Sequence, residues 1–494
     1  MELARRWLPL ALIAIAACWL RTKDIARRPM HADEANQAVK TGELLETGHY
    51  AFDPRDHHGP TLYYAALPIA WLRGEHTLAG LSETTVRLVP AVCGTMAVVL
   101  VALLAAPLGT WPALAAATFV AISPPAVYYS RYFVQETLLL TFTLGAFVCA
   151  REWWRNGRIG WLVGAGTCAG LMQATKASAP LFALAALLAL LATRPARPSS
   201  PKPWRDLAAG ALTALAVAAL LYSSFGTNLR GLRDALGSYG LTGTRLAGET
   251  GHEKPWWYYA WLFGWHRAGG LFFHQIAFSA LAIAGVIVAI FGRRLLAGDK
   301  PVPSPANPLL QRTAIYTLII GVVLSAISYK TPWHAVHFVP GLAVLAAGAL
   351  AGVARLRTGK FVGGAAAFLT AATLYQQTQL TSFARPADMR NPFAYVHSAP
   401  DVLKVRALAE AAVARSPGRP IRVIGEEYWP LPWYLRGLPG VGYWPTPPDD
   451  CDGAIIITSA TQAGAVKSRL RAQYREAFLG LRPGFVCIVF TPEP

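Results

Sequence analysis

PLFALAALLALLATRPARPSSPKPWRDLAAGALTALAVAALLYSSF, residues 180–225, sets two apolar runs on either side of a short polar bridge. Each run comes close to the roughly 17–25 residues that an α-helix needs to cross about 30 Å of hydrocarbon. The bridge gathers Arg194, Arg197, Lys202 and Arg205. Short cytoplasmic loops of membrane proteins are enriched in Lys and Arg, so the cluster reads as a topology signal. The rest of the chain repeats this alternation.

About eleven such runs are present, centred on 5–20, 86–108, 111–128, 133–150, 159–175, 178–193, 207–225, 271–291, 313–328, 334–353 and 361–380. The first is read as a span and not a signal peptide, because no small-residue cleavage site follows Trp19 and Leu20. Composition agrees. The 494 residues are 54% hydrophobic and 15% charged, with a mean hydropathy of +0.35. A soluble chain carries about 25% charged residues, so most of this one is not built for water. The same figures exclude disorder and a disulfide-dense secreted scaffold. The net charge of +18 suggests nucleic acid at first sight. Its cations, however, sit in short clusters between apolar runs, and no nucleic-acid partner is expected. Six cysteines without a CxxC pair give no zinc or redox motif.

Orientation follows from the basic loops. Arg5 and Arg6 precede the first run; Arg151, Arg155 and Arg158, then the 194–205 cluster, then Arg293, Arg294, Lys300 and Arg312, and finally Arg355, Arg357 and Lys360 occupy alternate loops. With eleven spans all lie on one side, the cytoplasm. The segment 21–55 has cations of its own on the opposite side, but it is long and carries carboxylates too, which weakens its weight in the rule. The expected protein sits in the cytoplasmic (inner) membrane with its N-terminus inside. Residues 1–385 form the polytopic domain. Residues 386–494, where helical and apolar strand-like stretches alternate, form an extracytoplasmic α/β domain. Cys451 and Cys487 could pair there. Asp450-Cys451-Asp452 has a DxD form, but it follows two prolines and precedes a strand, which makes it a turn.

Five polar features then share the outer face: 21–60, SRYFVQE (130–136), TKASAP (175–180), the loop 226–270 and SYKTPWH (328–334). In MHADEANQA (30–38), Asp33 and Glu34 are adjacent carboxylates. Neighbours on a helix or turn point in different directions, so one can meet a substrate while a cation holds the other. FDPRDHHGPTLYY (52–64) follows, with His57, His58, Gly59 and Pro60 ahead of an aromatic helix start. Arg131, Lys176 and Lys330 stand at outer ends of runs, where charge is costly unless paired or functional. Together they form a candidate phosphate clamp, with snorkelling anchors as the plain alternative. His334 and His337 share a helix face near Lys330. They and His57 and His58 are the candidate ligands for a divalent metal ion, and otherwise bonds to phosphate or sugar are expected of them. The aromatic residues Trp256, Trp257 and Tyr258, with Tyr63 and Trp333, suit a headgroup belt or an acceptor surface.

An Asp-Glu pair after the first span, then HGPxLYY, SRYFxxE, TK at an outer turn and KTPW resembles the polyprenyl-phosphate-sugar-dependent glycosyltransferases of the membrane GT-C fold. NPFAYVHSAPDVL (391–403) and PLPWYLR (430–436) add to the likeness. The pattern is most similar to the Agl23-like, flippase activity-associated branch, related to protein O-mannosyltransferases and lipid A aminoarabinose transferases. The resemblance implies Asp33 as general base toward an acceptor hydroxyl and Glu34 as alternate base or orienting group. It places a second acidic residue at Glu136, where relatives often have Asp. It further implies a polyprenyl-phosphate sugar as donor, the bilayer as the donor's medium, and a protein, glycan or lipid as acceptor. A single displacement predicts inversion at the anomeric carbon. The rival from another class is a lipid-linked sugar flippase or an accessory scaffold. Transporters carry repeated halves and polar groups at the midplane, whereas here the ionisable groups lie at the ends of runs. The enzymatic expectation needs the acidic doublet and the later basic groups to converge at the outer leaflet.

Overall fold

The computed structural model describes residues 2–55, 58–247, 252–295, 306–356 and 358–493. His57, a ligand candidate, and Lys300 and Arg357, used for topology, lie outside the described residues. The chain is mostly helical and divides into two compact units. The first comprises Met1–Lys23, His49–Ala65 and Arg87–Arg385; the second comprises Asp24–Gly48, Ala66–Val86 and Pro386–Pro494.

Helices cover most of each apolar run, because a backbone in hydrocarbon must satisfy its own hydrogen bonds. Hydroxyls inside these helices do the same. Thr141 Oγ1 donates to the Thr137 and Cys93 carbonyls at 2.8 and 2.9 Å. Helicity and capacity to span are separate matters. Among the described residues, four helices are long and apolar enough to cross a membrane: Glu83–Leu108, Pro203–Tyr222, Pro308–Ala326 and Pro332–Val353. Five others, Trp7–Thr22, Thr61–Leu72, Thr110–Ile122, Ala179–Ala192 and Ile276–Phe291, are apolar but shorter. Leu212, Leu215, Leu318 and Phe361 lie exposed on apolar helices, as lipid-facing side chains do. These helices mark an integral membrane protein.

One expected span begins too early. Residues 271–274 are not helix: strand β1 (Trp265–Ala268) pairs antiparallel with β2 (Leu271–His274), Ala268 facing Leu271. The two residues between them, Gly269 and Gly270, have φ of +49° and +81°. A two-residue hairpin turn needs positive φ at both positions, and glycine supplies it without strain. The helix therefore starts at Ile276.

In the second unit a sheet of five strands has the order β4-β3-β5-β7-β6, built from β3 (Ile421–Ile424), β4 (Val441–Trp444), β5 (Ile455–Ser459), β6 (Tyr474–Arg482) and β7 (Phe485–Pro492). The β3–β4 and β3–β5 pairs are parallel, and the two pairs made by β7 are antiparallel. Ile424, Ile456, Val466, Ile488 and Phe490 close the core. Between β5 and β6 stands one short helix, Ala463–Lys467. Cys451 and Cys487 are both buried and free, so no disulfide joins them. Asp450-Cys451-Asp452 is a turn: Asp450 Oδ1 accepts from the Asp452 amide at 3.1 Å, and its other oxygen pairs with Arg422 at 3.0 Å.

Candidate functional site

In the first unit, the apolar helices place four of the polar motifs at one end. Glu136 opens the helix Glu136–Asn156, where the helix dipole favours a carboxylate. Lys176 stands just past the helix Ile159–Thr175 in extended conformation. A cation is favourable at that end of a helix for the same reason. The Lys176 ammonium donates to Glu136 Oε1 at 2.5 Å, with side-chain exposures of only 14% and 3%. Burial of either charge alone would cost several kcal/mol, so each requires the other.

His334 joins the pair from KTPWH, its Nε2 3.9 Å from the same Glu136 oxygen. Its Nδ1 is hydrogen-bonded to the Tyr259 hydroxyl at 3.1 Å, and that hydroxyl also donates to the Thr331 carbonyl at 3.3 Å. Burial pushes the Tyr259 hydroxyl well above its ordinary range, so it stays protonated. His58 and His337 lie within electrostatic reach of the His334 ring. His337 packs on Phe182 with ring centroids 4.4 Å apart. The His58 segment is pinned by its neighbour: the Gly59 amide donates to the Thr175 carbonyl at 3.2 Å, and a Cβ at Gly59 would lie 2.1 Å from the Ala174 carbonyl oxygen. Only glycine permits that approach.

Two of the expected clamp residues are engaged elsewhere. Arg131 Nη1 donates to the carbonyls of Leu20, Arg21 and Lys23 at 3.0, 3.3 and 2.5 Å, closing the C-terminal end of the first helix. The Lys330 ammonium donates to the Lys254 carbonyl at 3.0 Å and to that of Ile327. Lys330 is buried, and desolvation lowers its pKa. A bridge between Glu253 and Tyr329 completes this tie between the 252–254 and 328–330 segments. Of the aromatic candidates, Tyr63 is fully buried against Tyr50, Trp333 and Tyr258 are buried, and Trp256 and Trp257 are exposed at 73% and 47%.

In the second unit, Asp33 and Glu34 occupy the first turn of the helix Ala32–Thr47. Their environments differ. Glu34 is fully buried; its Oε2 takes hydrogen bonds from Arg28 at 3.0 Å and from the His31 amide at 3.2 Å. The Asp33 side chain is 51% exposed. His31 caps the helix: its Nδ1 accepts from the Asp33 amide at 3.0 Å. The PLPWYLR motif braces the same region, as Tyr434 accepts from the Met30 amide at 2.9 Å and Trp433 Nε1 donates to Glu83 at 2.7 Å. Arg28, His31, Tyr259 and Tyr434 were not among the residues expected from sequence. For His31 the signal was present in HADE, an acceptor side chain three residues ahead of Glu.

Among the described residues no three His, Cys, Asp or Glu side chains group as ligands, and the Glu136 carboxylate already holds an ammonium.

The sequence profile of the dolichyl-phosphate-mannose-protein mannosyltransferase family matches residues 66–223. No curated protein matches the chain. Among solved structures, ArnT from Cupriavidus metallidurans in the apo state superposes with a TM-score of 0.59 at 15% identity, covering 98% of both chains. The same enzyme bound to undecaprenyl phosphate gives 0.56, again at 15% and 98% of both. The oligosaccharyltransferase AglB from Archaeoglobus fulgidus, in complex with an inhibitory peptide and a dolichol-phosphate, gives 0.55 at 13% identity over 97% of this chain and 73% of that one. From end to end, the chain has the GT-C fold of these membrane glycosyltransferases.

Proposed function

We propose that this protein is an integral-membrane glycosyltransferase that moves a sugar from a polyprenyl-phosphate carrier to an acceptor hydroxyl at the extracytoplasmic face of the inner membrane. The eleven-span topology, with the N-terminus in the cytoplasm, is part of this reading. So is placement near the Agl23-like branch, which rests on the order of the sequence motifs.

The observation that carries the reading is the part-buried ammonium of Lys176, fixed by Glu136 in a short turn between two apolar helices, with His334 and His58 nearby. One of its three protons goes to Glu136; two remain for the oxygens of a lipid phosphate. In a site of low dielectric, such a donor stabilises the negative charge that develops as the phosphate leaves. Glu136 is the residue that aims and charges Lys176. Tyr259 fixes the orientation of the His334 ring beside Lys176 and Glu136.

Asp33 is assigned the base that takes the acceptor proton, since it is half exposed and sits at the positive end of a helix. Glu34 orients that turn. One displacement by a base-activated hydroxyl gives inversion. Trp256, Trp257 and Tyr258 are assigned to the acceptor or lipid side. The chemistry as derived uses no metal step.

The test is incubation of purified protein with a panel of polyprenyl-phosphate sugars and an acceptor mixture, with and without chelator, reading free lipid phosphate. Asp33→Asn is expected to lower release by about 10²–10⁴-fold, the range of general-base catalysis. Retained release in Asp33→Asn would sink the base assignment, and retained lipid translocation in a variant without transfer would favour a flippase.

A further inference from the structure

The geometry points to His31 as a positioning residue for the transfer step: its neutral imidazole holds the helix turn that presents Asp33. This rests on the assignment of Asp33 as base. Three observations place it there. First, Nδ1 of His31 accepts from the amide of Asp33 itself at 3.0 Å, so the ring fixes the backbone of the residue that carries the carboxylate. Second, Glu34 returns a bond to the His31 amide at 3.2 Å while paired with Arg28, so the turn is closed from both sides. Third, His31 is 4% exposed and stands edge-on to His397 with ring centroids 5.8 Å apart.

Histidine is a rare choice for an N-cap, where Ser, Thr, Asp or Asn does the same work. It differs from them in one respect: its ordinary pKa, about 6.5, lies close to neutral pH. An imidazole accepts at Nδ1 only while that nitrogen is unprotonated. Protonation turns the acceptor into a donor facing an amide hydrogen, and the cap is lost. The cation would then face the Asp33 carboxylate, whose Oδ2 lies 3.8 Å from Nδ1, and would draw it inward.

The charged and titratable groups around the ring are Arg28 from the preceding segment, Asp33 and Glu34 from the capped helix, and His397 from the 391–399 stretch, with the Tyr395 backbone alongside. Burial is the largest influence and pushes the His31 pKa down from its ordinary value; the two carboxylates oppose it in part. The sign follows. A group whose folded pKa is depressed contributes its stabilisation fully above the unfolded value of about 6.5 and loses it as pH falls through the folded pKa. The cap is therefore intact at neutral pH and opens on acidification. Protonation of His31 is therefore expected to slow transfer.

The experiment compares wild type, His31→Ala, His31→Asn, His31→Ser and Asp33→Asn in the lipid-phosphate release assay across pH. His31→Ala is expected to lose about tenfold or more in kcat, with KM for the lipid donor unchanged, because the turn is released but no donor contact is removed. His31→Asn or His31→Ser restores the cap and most of kcat. In these two variants the fall of about tenfold in kcat that follows protonation of His31 in wild type is absent, since the titrating cap is gone. Two results overturn the proposal while leaving the transferase reading intact: full activity in His31→Ala with Asp33→Asn inactive, or rescued variants that keep the wild-type fall in kcat on acidification. Full activity in Asp33→Asn overturns the base assignment and this inference with it. A measurement independent of turnover is the nitrogen NMR spectrum of His31 in detergent-solubilised wild type. The Nε2–H tautomer at neutral pH supports the proposal, and an Nδ1–H ring or an imidazolium overturns it.

Discussion

Two carboxylates stand in the first turn of their helices, Glu136 in one unit and Asp33 in the other, and their surroundings are opposite. Glu136 is buried and already bound to an ammonium; Asp33 is half open, and its neighbours hold its backbone while its oxygens stay accessible. A buried, paired carboxylate fixes the position of its cation. An exposed one at a helix N-terminus is free to act on a second molecule. The same residue class in the first turn of a helix thus has opposite surroundings in the two units. Sequence position alone does not separate the two.

The sharpest way to break this comparison is to remove the cation. Lys176→Met leaves Glu136 buried without its partner, and the expected cost is about 3–5 kcal/mol of stability. The variant is also expected to lose about 10²–10³-fold in lipid-phosphate release, the scale for deleting one preorganised stabiliser of developing charge. Glu136→Gln separates the two effects. It keeps a hydrogen-bond acceptor for Lys176 and lowers the destabilisation, so thermal unfolding should recover further than turnover does. If Glu136→Gln had the same effect on turnover as Asp33→Asn while unfolding at the wild-type temperature, Glu136 would be the proton acceptor and the roles would be exchanged.

The next prediction tests where cations matter. Arg131→Met removes donors from three carbonyls at the end of the first helix. Unsatisfied buried acceptors cost about 1–3 kcal/mol. A lowered unfolding midpoint in denaturant, with KM for the lipid donor unchanged, is the expected outcome. A raised KM at unchanged stability would return Arg131 to the phosphate clamp.

That pair of variants also shows what the amino-acid pattern could and could not reveal. The helices were legible because hydrocarbon imposes both length and apolarity, and the motifs HHGP, SRYFVQE, TKASAP and KTPWH stood out as polar residues at the ends of apolar runs. The Glu136–Lys176 contact was not legible, since its partners are 40 residues apart and belong to different helices. Arg131 and Lys330 look like Lys176 in sequence: a cation at the end of a run reads alike whether it faces a phosphate or a row of carbonyls. Strand β6 is hard to read from sequence for a different reason. It is an edge strand whose first half is largely exposed, Phe478 at 82%, so YREAF lacks the alternation that marks a half-buried strand. The early start given to the 271–291 run came from apolar β2 residues, which periodicity cannot tell from a helix start over four positions.

The smallest expected effects lie in the aromatic stretch 256–259, where neighbouring rings have opposite surroundings. Trp256 is 73% exposed, whereas Tyr259 is 2% exposed and bonded to His334. Tyr259→Phe deletes one hydroxyl and leaves the ring packed on Phe338, 5.2 Å away. A neutral hydrogen bond contributes about 0.5–1.5 kcal/mol, so release should slow by a factor of about two to ten, with stability nearly unchanged. Trp256→Ala removes a ring with no comparable bond. As a headgroup anchor it should leave kcat unaltered and raise KM for the donor equally for every sugar in the panel. A KM increase confined to one sugar would mean that the ring stacks on the substrate, and the exposed half of this stretch, not the buried half, would then set specificity.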